Sequence, residues 1–418
     1  MVVSWMWPGI MNCSDPPEYD MLDSLLAVQQ LVISAVIVTA FVATKTLVDN
    51  FRRRQAKLTA VVVGAGPVGL STLMVAARSG RVTRVLLYEE QSKMQLFNQP
   101  HQIALDSRSA IFLKRFGVDF DNMEGCWDGG CFFTRLGVFQ EYMLSIVYRL
   151  PVPVEVRLGT KFTRDTCKEL ESIGGRKLVL ACDGANGQTV RHLGISDEYI
   201  QHSCRYYGAV AALERPGLCQ IPLRERCANN LHFDLTAYGA DNLDVDGHQG
   251  FSLKIFGTSR HRYMSLLIPK CESPLVKALR VVLDRSMMRN IFLKCFNTYK
   301  SDSESSLGDA FALKHMKFSP RLFEVKLSQR VETAAYFQDT DTFVVAEGEA
   351  ARCYNIHTGR DVNIGIQGLH SLPEFIDRAA VCDSEHTILS TLSFKSHSAE
   401  QVCKDFLRHG LRDHILKS

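Results

Sequence analysis

The stretch VVVGAGPVGL, residues 61–70, decides how this chain is read. Three valines run into Gly64, Gly66 and Gly69, and PVGLSTLMVAARSG (67–80) follows with helical composition. Ahead of the glycines LTAVVV (58–63) is an apolar run of strand length, and behind the helix VTRVLLYEE (82–90) is another. Strand, glycine turn, helix and strand in that order predict a βαβ unit. Each glycine has its own expected duty: Gly64 makes the tight turn, Gly66 lets the backbone approach a pyrophosphate, and Gly69 lets helix and strand pack closely. Glu89 closes the second strand twenty residues after Gly69, where an acid meets the ribose hydroxyls of a dinucleotide.

With 418 residues, 46% of them hydrophobic and 22% charged, the chain is long enough for two or three domains around sizeable cores. The 48 basic and 45 acidic residues are well mixed and the net charge is +3, so no surface field favours nucleic acid and a small-molecule site is the default. The thirteen cysteines form no zinc-type pairs and are odd in number, which reads as reduced thiols facing the cytosol. His101, His202, His232 and His357 show no metal-ligand spacing, and no metal is assigned.

Toward the amino terminus LLAVQQLVISAVIVTAFVAT (25–44) runs for twenty residues without a charge, enough at helical rise to cover the hydrocarbon of a bilayer. Asp15, Glu18, Asp20 and Asp23 precede it, whereas Lys45, Arg52, Arg53, Arg54 and Lys57 follow. That asymmetry predicts a single-pass transmembrane helix with everything after it in the cytosol. A buried or surface-lying helix is the alternative reading. The endoplasmic reticulum is the first membrane expected and the mitochondrial outer membrane the second.

The middle of the chain reads as strand-rich, with YYGAVAALE (206–214), GFSLKIFGT (250–258) and HRYMSLLIP (261–269) before the helical stretch 273–300. DTFVVAEGEA (341–350) reads as a strand running into a glycine turn, and the last forty-odd residues as amphipathic helix.

Two later stretches bring a family into view. KLVLACDGANGQTVRHLGI (177–195) places Asp183 and Gly184 after an apolar strand, and FVVAEGEAARCYNIHTGRDVNIGIQGLHSL (343–372) carries Gly348, Glu349, Gly359 and Asn363. Together with the glycine cradle, these resemble the flavoprotein monooxygenases of the para-hydroxybenzoate hydroxylase class over roughly residues 58–375. The resemblance implies FAD as cofactor, NADPH or NADH as electron donor, Glu349 on the ribityl hydroxyls, and the loop around Gly359 and Asn363 at the edge of the flavin ring. It also implies that Arg135, in FTRLGVFQEYML, begins a helix and touches the FAD phosphate and ribityl region, and that Asp183 with Gly184 shapes the backbone near the pyrophosphate.

The chain departs from the pattern at several positions. Glu349 stands for the usual aspartate, Arg352 for a histidine and Asp361 for a glycine; the usual proline is missing near Ile356 or His357. No arginine follows the ribose acid, where QSKMQLFNQPHQIAL offers Gln99, His101 and Gln102.

The expected fold class is α/β: a Rossmann-like FAD-binding domain with an inserted β-rich substrate domain and one amino-terminal transmembrane helix. In segments, this is an acidic lead (1–24), the helix (25–44), a basic linker (45–57), a first FAD-binding segment (58–204), the substrate sheet (205–331), and a second FAD-binding segment with carboxy-terminal helices (332–418). The implied activity is NAD(P)H- and oxygen-dependent hydroxylation or epoxidation of an apolar or aromatic small molecule through a flavin hydroperoxide. Two alternatives stay open: a catalytically degenerate FAD-binding or membrane-tethered interaction protein, and an FAD-dependent disulfide reductase using the cysteines of CWDGGC (126–131).

Overall fold

A computed structural model describes residues 18–231, 250–272, 274–281 and 285–411. His232, Asp15 and the first seventeen residues of the acidic lead lie outside the described residues. The chain divides into two compact units, Met1–Ala56 and Lys57–Ser418.

The first unit is the helix Glu18–Gln55. It is longer than the expected 25–44 because no glycine or proline interrupts the sequence between residues 18 and 55. Within it Val28–Val48, 21 residues, is long and apolar enough to cross a membrane, and its side chains are exposed. At about 1.5 Å per residue this span covers roughly 30 Å. The hydroxyls of Thr39, Thr44 and Thr46 each donate to the carbonyl four residues back at 2.7 Å, so each hydroxyl is satisfied within the helix.

The second unit is mixed α/β. Its first sheet has six strands in the order Ala334–Phe337, Thr342–Ala346, Lys177–Ala181, Leu58–Val63, Val82–Glu89 and Val154–Leu158. Neighbours run parallel except for the antiparallel edge pair Ala334–Phe337 and Thr342–Ala346. Leu58–Val63 is buried at every position, which is why LTAVVV is a continuous apolar run rather than an alternating one. One face, carrying Val61, Val63, Val179, Ala181 and Val344, packs on Phe162, Leu170, Val190 and Ile195. The helix Pro67–Arg78 lies along the sheet and contacts both strands that flank it in sequence.

A second, antiparallel sheet has the order Arg352–Tyr354, Phe323–Arg330, Tyr199–Glu214, His261–Pro269, Phe251–Gly257 and Arg226–Leu231, with Met316–Phe318 also pairing Tyr199–Glu214. Tyr199–Glu214 alternates along its second half: Ala209, Ala211 and Leu213 face the core that holds Phe292 and Phe296 of the helix Arg285–Tyr299. Tyr206 and Val210 face the opposite cluster, with Val325, Leu327 and Ile364. This strand runs across the expected boundary at 204/205, and Arg352–Tyr354 joins the same sheet from beyond 331.

A small third sheet, Gln102–Leu105, Cys131–Arg135 and Cys126–Asp128, was not expected from the sequence. It makes CWDGGC a β-hairpin. Gly129 and Gly130 turn with φ of +54° and +77°, Asp128 faces Cys131, and Cys126 faces Phe133. The two cysteines are therefore not opposite each other, both are free, and burial pushes both thiols up, away from the thiolate that exchange chemistry needs. This geometry is a correction to the disulfide-reductase alternative.

The glycine turn is closely packed against backbone. A Cβ on Gly69 would lie 1.9 Å from the Gly64 carbonyl oxygen, and one on Gly64, whose φ is +100°, would lie 2.5 Å from the Cys182 oxygen. Gly69→Ala should cost about 1–3 kcal/mol, read as a lower urea midpoint at unchanged slope. An unchanged midpoint would show that the turn and helix are not this close in solution.

Candidate functional site

Two adjoining cavities, of about 360 and 320 Å³, open where the first sheet's strands end. Gly66, Pro67, Gln99, Leu136, Cys182 and Gly184 line both.

The second cavity is built on the glycine turn. Gly64 leaves Leu58–Val63 with its N–H donated to the Tyr88 carbonyl at 2.7 Å. Gly66 precedes the helix Pro67–Arg78 at φ −66° and ψ 173°, and a Cβ there would meet nothing within 4 Å. Any side chain at Gly66 would point into the space the cavity occupies. Glu89 is buried, its carboxylate accepting the Ala65 N–H at 2.6 Å and the Gln91 N–H at 2.7 Å. It ties the end of one strand to the loop leaving the other. Asp183 accepts the Thr189 N–H at 2.9 Å through one carboxylate oxygen, while the other oxygen is buried without a protein partner.

The first cavity is walled by both sheets. Gly348 and Glu349, then Gly359, Asp361 and Val362, line it together with Phe256, Tyr263, Leu327, Arg352 and Tyr354 of the antiparallel sheet. Gly348 takes φ +63° and Gly359 φ +75°; a Cβ on Gly359 would lie 2.7 Å from the Phe256 ring. Glu349 lies close to Gly184, whose Cβ would come 4.0 Å from a Glu349 oxygen, although the two are far apart in sequence. Protein around the cavity desolvates Glu349, and Asp361 adds its charge, so the carboxyl is pushed up.

The loop between Gly359 and Asn363 is held from below. Arg360 is buried and donates to Glu225 at 2.9 and 2.8 Å, while the same carboxylate pairs with buried Lys254 at 2.9 Å. Asn363 donates to the carbonyls of Ala104 and Arg360 at 2.8 and 3.0 Å and accepts from the Asp106 N–H at 3.0 Å.

The expected site residues thus fall into three groups. Gly64, Gly66, Glu89, Asp183, Gly184, Gly348, Glu349 and Gly359 converge on the two cavities. Gly69 packs underneath. Arg135 and Asn363 lie outside both linings: the Arg135 guanidinium is 3.8 Å from Glu124, and the Asn363 amide is used up on backbone partners. The helix that Arg135 begins presents Leu136 to the cavities.

Asp361 does not add an uncompensated charge. Its carboxylate accepts from His357 Nδ1 at 2.9 Å and from the Thr358 hydroxyl and N–H at 2.7 and 3.2 Å. The hydrogen bond to Asp361 raises the His357 pKa above its ordinary 6.5 against the cost of desolvation. Desolvation opposes ionisation of Asp361, but His357 and Thr358 outweigh it and hold the carboxyl below its ordinary 3.8. His101 lies across the cavity with its ring 6.0 Å from that of His357 and stacked on Tyr263 at 5.5 Å; burial first, and then His357, lower its pKa. In the sequence these histidines stand singly. His357 and Asp361 meet through the loop around Gly359, which is not helical, so their spacing in the sequence gave no signal.

No family model matches the chain, and no curated protein matches it. Among solved structures it is similar to a peptidyl tryptophan dihydroxylase essential for tryptophylquinone cofactor biogenesis, at 15% identity and a TM-score of 0.48 over 86% of this chain and 75% of that one. It is also similar to a tetracycline destructase (11% identity, TM-score 0.45, 86% and 90% covered). A third likeness is to a p-nitrophenol 4-monooxygenase from Pseudomonas putida (15%, 0.45, 83% and 89%). What the chain does is read from the residues of its two cavities.

The signs of the two shifts set a pH window. The His357 contribution is complete below 6.5 and is lost as pH rises through its raised value; that of Asp361 is complete above 3.8 and is lost as pH falls through its lowered value. His101 faces the same imidazole, and the Glu349 charge, like that of Asp361, helps raise that upper edge. His357→Asn should therefore remove part of the stability loss on the alkaline side of 6.5. Urea midpoints against pH that run parallel in the two proteins would refute the pairing.

Proposed function

We propose that the chain is a membrane-anchored FAD-dependent oxidoreductase, an NAD(P)H- and oxygen-dependent monooxygenase acting on an apolar or aromatic small molecule. The observation that carries this reading is the convergence of three distant segments, Gly64–Gly66, Asp183–Gly184 and Gly348–Glu349, on two joined cavities.

The residues present fit FAD on two counts. The bare backbone at Gly66 leaves room where a Cβ would intrude, and Asp183 keeps a buried carboxylate oxygen without a protein partner. In this reading Gly66 and the start of the helix Pro67–Arg78 receive the pyrophosphate, Glu89 the ribose hydroxyls and Glu349 the ribityl hydroxyls. What FAD supplies, when bound, is two-electron chemistry with a nicotinamide donor and with dioxygen. The protein's own role is to orient the substrate and keep water away, which the aromatic wall of Phe256, Tyr263 and Tyr354 is suited to do. The discontinuous FAD-binding domain and the substrate sheet belong to the same proposal.

The span Val28–Val48 supports a single-pass anchor, and the basic residues after it support a cytosolic catalytic unit. An anchored chain stays with the membrane pellet through alkaline carbonate extraction; release into the supernatant would remove the anchor from the proposal. Fractionation of the same cells tells endoplasmic reticulum from mitochondrial outer membrane.

Full-length protein in detergent should show flavin absorption that bleaches with anaerobic NADPH or NADH. Gly66→Val should lose the flavin while its unfolding free energy in urea stays within about 1 kcal/mol of the parent, because its side chain meets cavity rather than protein. Glu349→Ala should retain less flavin. A folded, colourless parent that takes up no added FAD would overturn the proposal and leave a membrane-tethered interaction protein.

A further inference from the structure

The parallel strands of the first sheet all begin along one edge, and half of that edge is basic. Leu58 pairs with Val82 and Val85 with Val154, so the starts of these three strands lie side by side. Lys57 leads into the first strand and Arg81 into the second, while Arg84 stands beside Thr59. The helix Pro67–Arg78 joins two parallel neighbours and so runs back toward their starts, where Lys57 Nζ donates to the Gly80 carbonyl. The Arg78 guanidinium covers Gly117, which brings Arg115, the last residue of the helix Ser107–Arg115, to the same edge. The turn Val147–Arg149 reaches it as well, because the Pro153 carbonyl accepts the Val85 N–H at 3.0 Å. Lys57, Arg78, Arg84, Arg115 and Arg149 are exposed, and Tyr148 is 84% exposed.

Few acids offset these cations. Asp377 is paired with Arg81 at 2.9 Å, and the Asp119 carboxylate is turned to the Asp121 N–H and the Asn122 amide. The other half of the edge differs: beside Lys177–Ala181 and Thr342–Ala346, Arg176 is paired with Asp341 at 2.8 Å and Asp339 is exposed. Exposed guanidinium groups around a tyrosine suit a phospholipid surface, where arginine meets phosphate and the amphipathic ring sits among the headgroups. The path of the chain favours this over nucleic acid. Only Ala56 and Lys57 lie between the helix Glu18–Gln55 and Leu58, and Arg52, Arg53 and Arg54 stand just ahead in the sequence. From Val48, where the apolar span ends, the helix continues to Gln55, about 10 Å at helical rise, which is close to the distance over which surface charge acts in physiological salt.

We propose that this basic edge, through Arg78, Arg84, Arg115, Arg149 and Tyr148, docks on the anionic phospholipid headgroups of the bilayer that holds the helix. The docking is non-covalent and adds a second membrane contact to the anchor. The strands end at the opposite edge, and both cavities open there. A docked unit therefore turns its cavities away from the bilayer and takes its ligand from the aqueous side rather than from the hydrocarbon. The inference goes beyond the oxygenase reading and rests on its anchor alone.

The test compares amide hydrogen exchange of the full-length protein in vesicles of phosphatidylcholine alone and of phosphatidylcholine with phosphatidylserine. Residues 78–84 and 147–153 should exchange at least about threefold more slowly on the anionic vesicles, whereas residues 159–161, at the cavity edge, should not change. High salt should remove the difference. Arg84→Glu, Arg115→Glu and Arg149→Glu together should abolish it; these side chains are exposed, and urea midpoints check that the variant folds. Should it not fold, Arg149→Glu alone should at least halve the difference. Equal exchange on the two vesicles, slowing at 159–161 as well, or a difference that survives charge reversal would overturn the proposal. So would protection that RNA confers on neutral vesicles and phosphatidylserine does not. Carbonate extraction of the same vesicles separates the two readings. A chain that stays in the pellet yet exchanges equally defeats the docking alone, and a chain that carbonate releases but anionic vesicles still protect defeats the anchor alone.

Discussion

The close approach of the Gly69 backbone to the Gly64 carbonyl is the constraint on which the second unit depends. It sets the helix Pro67–Arg78 directly against the end of the central strand, and only a residue without Cβ allows it. The Glu89 carboxylate then fastens the turn to the neighbouring strand through the Ala65 N–H. Because Gly66 lies between these two fixings with nothing of the protein above it, the turn leaves an open cradle rather than a filled corner. Both cavities begin from it.

The opposite side of the first cavity is held by charge rather than by close packing. Glu225 is buried between Lys254 and Arg360, one from the antiparallel sheet and one from the loop after Arg352–Tyr354. Buried ion pairs add little net stability against an apolar replacement, yet losing one partner strands the others at about 3–5 kcal/mol. Their effect is specificity of placement. With Arg360 drawn to the sheet and Asn363 clamped to Ala104 and Asp106, the loop between them is left with one arrangement for Asp361, facing His357. Two departures from the resembled pattern, a histidine near the missing proline and an aspartate for a glycine, therefore compensate each other.

Much of the parallel sheet was legible from residues 58–90 because the signals there are local. An unbroken apolar run means a strand covered on both faces, and glycines at fixed spacing mean a turn with a close crossing. Glu89 was legible for the same reason. The long helix was read from its lack of charge, though its ends were not, since helix length depends on where nothing interrupts it. The hairpin at 126–131 was read as a cysteine pair because spacing in sequence does not reveal strand register.

The sequence alone determined which residues need freedom of backbone, which runs must be buried and where an acid follows a turn, because these follow from steric rules acting over a few residues. Only the tertiary structure decided what meets what around the cavities: that Arg135 turns to Glu124, that Glu349 comes beside Gly184, and that Phe256, Tyr263 and Tyr354 line the same cavity as His357. Such juxtapositions join segments far apart along the chain, and they are set by how two sheets pack, a sum of many weak contacts that no single stretch of chain encodes.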